Sequence, residues 1–104
     1  MKVNYHSTFS INDYFKDQID EKINKLDELN LRFSEADVYF KLKDGAEATS
    51  DKEFEIKIHV PGHVLFSKSH SESFEKAIPA AFSKIRKQII KYKESTGPKR
   101  GTRI

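Results

Sequence analysis

The stretch SKIRKQIIKYK, residues 83–93, sets Lys84, Arg86, Lys87, Lys91 and Lys93 around Ile85, Ile89, Ile90 and Tyr92. Clustered ammonium and guanidinium groups neutralise phosphates, and each neutralised phosphate releases counterions; the chemistry of this pattern is polyanion binding. A merely solubilising helix surface mixes Glu with Lys at four-residue spacing. Asp20, Glu21, Lys22 and Lys25 show that mixture, whereas no acid occurs between Lys76 and Lys93. From Phe74 onward nine Lys/Arg stand against Glu75 and Glu94, a net +7, while residues 1–73 carry a net −4. Such polarity gives the chain one end suited to an anionic partner.

Covalent and metal chemistry find little support in the residues. The chain has no Cys, which excludes disulfides and thiolate metal sites. Ser, His and Asp occur, but none sits in a nucleophile motif such as G-x-S-x-G. The four glycines build no phosphate-cradling loop. His59 and His63 flank Pro61-Gly62 and can approach across a hairpin, yet zinc wants three or four ligands and no carboxylate cluster is evident nearby. Exposed hairpin histidines are the simpler reading, and His6 and His70 are read the same way. The chain is therefore expected to be no enzyme and to need neither cofactor nor metal.

The elements that must carry the charge follow from periodicity. Lys2 to His6 alternates as a short strand. Ser10 opens an S-x-x-D capping spacing with Asp13, ahead of an amphipathic helix from about Ile11 to about Leu29. Ala36, Val38, Phe40 and Leu42 form the apolar side of a second strand, and Phe54, Ile56, Ile58 and Val60 that of a third. DGAEATSD, residues 44–51, is a polar loop between them. Pro61-Gly62 suits a tight turn into a hairpin partner, His63 to Ser69. Ser73 caps a last helix to about Lys93, with Phe74, Ala77, Ile78, Ala81, Phe82, Ile85, Ile89 and Tyr92 on one stripe. Pro79 either kinks this helix or marks where its regular part starts. The resulting order, β-α-β-β-β-α, predicts an α+β fold: a four-stranded sheet with two helices packed on one face, as in double-stranded-RNA-binding domains. Residues 1–94 make one domain and 95–104 a flexible basic tail with Lys99, Arg100 and Arg103.

On the last helix Lys84, Lys87 and Lys91 share one flank, with Lys76 upstream in similar phase, while Arg86 and Lys93 share the other. Tyr39 projects from the sheet face opposite Val38 and Phe40, where a base can stack or solvent can meet it.

These residues resemble the ribosome hibernation-promoting factor and ribosome-associated inhibitor family, also described as sigma-54 modulation or S30EA proteins. AIPAAFSKIRKQIIKYK is similar to the family's A-I-x-x-x-x-x-K-L-x-R-Q-L-x-K-y-K helix, with Ala77, Ile78, Lys84, Ile85, Lys87, Gln88, Ile89, Lys91, Tyr92 and Lys93 at its positions. EKINKLDE resembles K-l-x-K-L, matched by Lys22, Lys25 and Leu26. The resemblance spans about residues 2 to 94. It implies a short-form factor that binds the small ribosomal subunit between head and body, blocks the mRNA and tRNA paths, and silences translation in starvation or stationary phase. It implies a bacterial, cytoplasmic protein, monomeric off the ribosome. By position, Lys22, Lys25, Lys84, Lys87, Lys91 and Lys93 take the rRNA-binding role; Arg86 and Lys76 join them by helical phase. The sequence departs from the family at Ser73-Phe74-Glu75, where D-M-Y is typical, and at Pro79. It also shows neither the second domain of long members nor the acidic tail of the inhibitor subtype.

Two other readings differ in kind. A generic double-stranded-RNA module would carry lysines at the start of the last helix, where this chain has S-E-S-F-E-K. A protein-interaction regulator, such as a sigma-factor modulator, would keep its partner after ribonuclease treatment. A membrane-surface role is disfavoured, because the apolar stripe of the basic helix is needed for the core, and the MKVNYHSTFSIN start has no apolar leader.

Overall fold

The computed structural model describes residues 2–29, 33–42 and 52–96. The expected loop at 44–51 and most of the basic tail, 97–104, lie outside the described residues. Strands β1 (Lys2–Ser7), β2 (Glu35–Leu42), β3 (Lys52–Val60) and β4 (His63–Ser71) form one sheet in the order β1-β2-β3-β4. β1 runs parallel to β2, and the other pairings are antiparallel. Helix α1 (Asp13–Leu26) joins β1 to β2 and continues as a 3-10 turn at Asp27–Leu29; helix α2 (Phe74–Thr96) follows β4. The α+β architecture expected from the alternation is the one observed.

Period-two patterning decides which face the helices cover. Ala36, Val38 and Phe40 on β2 and Phe54, Ile56, Ile58 and Val60 on β3 are buried beneath Ile19, Ile23 and Leu26 of α1. The same core takes in Phe74, Ala77, Ile78, Ala81, Phe82, Ile85 and Ile89 of α2. Aromatic contacts knit the layers: Phe40 meets Phe54 at 5.2 Å and Phe74 at 5.0 Å, and Phe54 stacks on Phe82 at 6.1 Å. Tyr5 fastens α1 to β1 by donating to Asp20 Oδ1 at 2.9 Å.

Four local features settle open points. Asn12, not Ser10, caps α1: its side chain accepts from the Tyr14 N–H at 2.8 Å, and Asp13 is already the first helical residue. Asn is as good a cap as Ser, and its position leaves Asp13 in the first turn, where the helix dipole favours a carboxylate. Ser73 does cap α2, its carbonyl accepting from Ala77 N–H at 3.1 Å. Pro79 lies inside α2, which begins at Phe74, so the helix does not start at the proline. The ring deprives the Glu75 carbonyl of its usual donor, but Glu75 is exposed, and water can serve it. Gly62 adopts φ 79° in the turn after Pro61, the left-handed conformation that the second central position requires.

Small residues let α2 approach β4 closely. Ala77 and Ala81 are fully buried, and their carbonyls accept from the hydroxyls of Ser69 and Ser67, the latter at 2.7 Å. Farther along, Lys84 Nζ donates to the Lys68 carbonyl at 3.0 Å, and Tyr92 Oη donates to the Pro61 carbonyl at 3.3 Å. Between them the Gln88 amide grips both backbone groups of Phe66, accepting from its N–H at 3.2 Å and donating to its carbonyl. β4 is an edge strand, and this clamp occupies polar groups that would otherwise template pairing with another chain.

The open face of the sheet is polar and internally matched. Lys41 pairs with Glu55 at 2.9 Å and approaches Glu53 at 4.0 Å. Asp37 accepts from Asn4 at 2.9 Å and meets His6 at 3.1 Å and His59 at 2.7 Å. Burial alone would raise the Asp37 carboxyl, but hydrogen bonds from His6, His59 and Asn4 outweigh it and hold the group at about 2. His59 and His63 do not converge as the hairpin spacing suggested. His63 pairs in register with Val60, the neighbour of His59, so the two rings project from opposite faces. His63 packs edge-on to Tyr92 at 5.6 Å instead.

Candidate nucleic-acid interface

The eight cationic residues singled out by sequence divide into three sets. Lys22 and Lys25 from α1 and Arg86 from α2 meet across the cleft between the helices, whose floor is Leu26, Pro79 and Phe82 and whose rim includes Ser83. Helical phase explains the meeting: Lys22 and Lys25 border the buried Ile19–Ile23–Leu26 stripe, and Arg86 borders Phe82 and Ile89. Lys22 is half-buried, its methylenes suited to lie along the apolar floor while the ammonium reaches solvent.

Lys87 and Lys91 form the second set. Both are exposed. Lys87 lies opposite the buried stripe, at the crest of α2, and Lys91 borders a shallow depression with Leu65, Gln88 and Tyr92. Among the described residues no carboxylate pairs with Lys22, Lys25, Arg86, Lys87 or Lys91. Their charge is available to a partner.

The remaining three cations already have work inside the protein. Lys84 is held at the Lys68 carbonyl, and Lys93 donates to the Leu29 carbonyl at the end of the α1 extension. Lys76 pairs with Glu72 one helical turn away; their hydrogen bond raises the lysine's pKa and lowers the carboxyl's. Lys84 and Lys93 each meet a backbone carbonyl, which carries no formal charge, whereas Lys76 faces the carboxylate of Glu72 in an exposed pair.

Two contributors were not legible in the sequence pattern. Ser83 places a hydroxyl on the cleft rim, and Ile90, 39% exposed, sets an apolar side chain beside Arg86 and Lys87 on the solvent side of α2. Only knowing where α1 lies singles out Ser83; Ile90 already falls outside the apolar stripe read from the sequence, but nothing in that pattern marks it as part of a binding surface. Tyr39 is less free than its strand position suggested: His6 stacks on it at 4.5 Å, and the ammonium groups of Lys57 and Lys41 lie over it at 5.2 and 5.6 Å.

The cleft can bind phosphate and ribose, offering two ammoniums, a forked guanidinium and a hydroxyl over an apolar floor. It presents no activated nucleophile and no acid–base pair. No helix among the described residues is long and apolar enough to cross a membrane.

Two helices on one face of a four-stranded sheet, with cations that have no carboxylate partner among the described residues in the cleft between them, define a small α+β domain with a basic surface. The profile of the family described as "Sigma 54 modulation protein / S30EA ribosomal protein" matches residues 2–96, and the chain belongs to that family. Among solved structures it resembles a ribosomal subunit interface protein from Coxiella burnetii, with a TM-score of 0.74 and 15% identity over 89% of this chain and 98% of that one. It also resembles the N-terminal domain of Protein Y from Thermus thermophilus, with a TM-score of 0.72 and 20% identity over 88% of this chain and 99% of that one. No curated protein matches the chain in sequence.

Proposed function

We propose that the protein binds the small ribosomal subunit through the basic surfaces of α1 and α2, occludes the mRNA and tRNA sites, and silences translation in starved or stationary cells. The observation that carries this reading is the set of five cations spanning both helices that have no carboxylate partner among the described residues, in a chain of the S30EA family. Ribosomal RNA is the polyanion that fits: a rigid, positively charged wedge blocks by shape and phosphate contact and needs no chemistry of its own. The role places the protein in the cytoplasm, as a monomer when off the ribosome and with no small-molecule substrate. The family's description also motivates a second reading, a modulator of an alternative sigma factor, in which the same surface meets an acidic protein. A generic double-stranded-RNA module is less favoured, because the lysine at the start of α2, Lys76, is tied to Glu72.

Co-sedimentation with ribosomes and separated subunits over a salt series tests the proposal. Pelleting with small subunits and whole ribosomes, saturating near one copy each and weakening steeply with salt, supports it. Absence of pelleting at low salt overturns it, and a complex that survives ribonuclease assigns the surface to a protein partner.

A further inference from the structure

We propose that Glu35, Asp37 and His59 form a binding site for a divalent transition-metal ion of the zinc class on the open face of the sheet. One ligand atom each from Glu35, Asp37 and His59 lies within 4.8 Å of the others. Strand register creates the grouping. Asn4 of β1 and Lys57 of β3 lie directly across from Asp37, and His59 lies across from Glu35. The two histidines thus reach Asp37 from diagonal positions on opposite sides, His6 Nε2 to one carboxylate oxygen at 3.1 Å and His59 Nε2 to the other at 2.7 Å.

The donor set selects the ion. One imidazole and two carboxylates, with water in the fourth position, suit zinc or cobalt, whereas magnesium and calcium favour all-oxygen shells. With metal–ligand bonds of about 2.0–2.1 Å, the donors of a tetrahedral site stand roughly 3.3 Å apart. His59 Nε2 stands 2.7 Å from one Asp37 oxygen, and the Glu35 ligand atom lies within 4.8 Å of both residues' ligand atoms, so side-chain rotation can bring the three donors around one ion. Asn4 supplies the supporting layer, donating to one oxygen of Glu35 at 2.8 Å and to one of Asp37 at 2.9 Å. Partners of this kind orient ligating carboxylates.

Charge points the same way. Two carboxylates two residues apart share this face, and among the described residues no lysine or arginine forms an ion pair with either. Lys2 stands across from Glu35 without pairing to it, and Lys57, across from Asp37, lies over Tyr39 instead. The site is sheltered yet reachable: the Asp37 side chain is 14% exposed, those of His59 and His6 35% and 46%. A bound ion would join β2 and β3 on the face away from the helices, with His6 and Asn4 of β1 bonded to its carboxylate ligands, so the site stands apart from the ribosome reading.

Cobalt(II) titration of the untagged, chelator-stripped protein, followed by its visible absorption and then by displacement with zinc, tests the proposal. One equivalent should bind, with the absorption of a four-coordinate nitrogen–oxygen site that zinc abolishes. His59→Ala and Asp37→Asn should each lose the signal, and Asn4→Ala should weaken it about 10- to 100-fold. His63→Ala and His70→Ala, outside the cluster, should leave it unchanged. Circular dichroism confirms folding, and His6→Gln is read in place of any variant that fails to fold, with weakened uptake expected. No saturable uptake by the wild-type protein, or uptake that folded cluster variants retain, overturns the site.

Discussion

The helix side and the open side of the sheet handle charge in opposite ways. On the open side most of the carboxylates find a partner on the next strand: Glu53 and Glu55 share Lys41, and Asp37 is held by His6, His59 and Asn4. On the helix side Lys22, Lys25, Arg86, Lys87 and Lys91 have no carboxylate partner among the described residues. Matched charges lower the field they project, whereas unmatched charges of one sign add up and attract an opposite surface from a distance. The difference teaches that lysine content is a poor guide to a binding face; the balance of partners is a better one.

Charge reversal on the two sides gives the sharpest contrast. Lys22→Glu, Lys25→Glu and Arg86→Glu together should reduce ribosome affinity by about 100-fold or more, while Lys2→Glu, Lys57→Glu and Lys68→Glu should change it by less than about threefold. Equal losses from the two triples, measured by co-sedimentation of proteins with matching circular dichroism, would break the comparison. Next in size is the salt response. Lys87→Ala with Lys91→Ala should lower the slope of log affinity against log salt by about 1.4–1.8, and an unchanged slope would remove the crest of α2 from the interface.

Smaller effects concern the frame that holds the helix side in place. Gln88→Ala should destabilise the protein by about 1 kcal/mol in urea unfolding and promote self-association at high concentration, because the Phe66 backbone is uncovered. Asn12→Ala should cost about 1 kcal/mol, whereas Ser10→Ala should fall within about 0.5 kcal/mol of wild type. The smallest change is expected from Lys76→Ala, which should leave ribosome affinity nearly unaltered, since Glu72 already answers that charge. A large loss there would return Lys76 to the interface.

Much of this arrangement could be read from the chain. Alternation in Ala36–Leu42 and Phe54–Val60 and the stripe from Phe74 to Tyr92 define the sheet and both helices, because burial imposes its period directly on sequence. Caps are less legible: Ser10 and Asn12 both suit the role, and two residues separate them. The division among the eight cations was hidden for another reason. Lys84 and Lys93 donate to backbone carbonyls at Lys68 and Leu29, and no side-chain type in the sequence marks a carbonyl as an acceptor. The His6–Asp37–His59 grouping depends on the register of three strands, one joined by a long parallel crossover, which local pattern does not fix.

The contacts of Lys84, Gln88 and Tyr92 with β4 also amount to two rulers laid side by side. Four residues of α-helix advance about 6.0 Å and two residues of strand about 6.8 Å, so the marks nearly coincide. Lys84 reads Lys68, Gln88 reads Phe66, and Tyr92 reaches the turn at Pro61. Sequence change in β4 is therefore constrained in length more than in chemistry. Exchanging Val64 or Lys68 for another strand-compatible residue preserves the marks, but inserting or deleting one residue inverts the faces of the strand and puts every later mark out of step. The placement of the cations of α2 along the sheet is thus kept by the length of a strand that carries few of them.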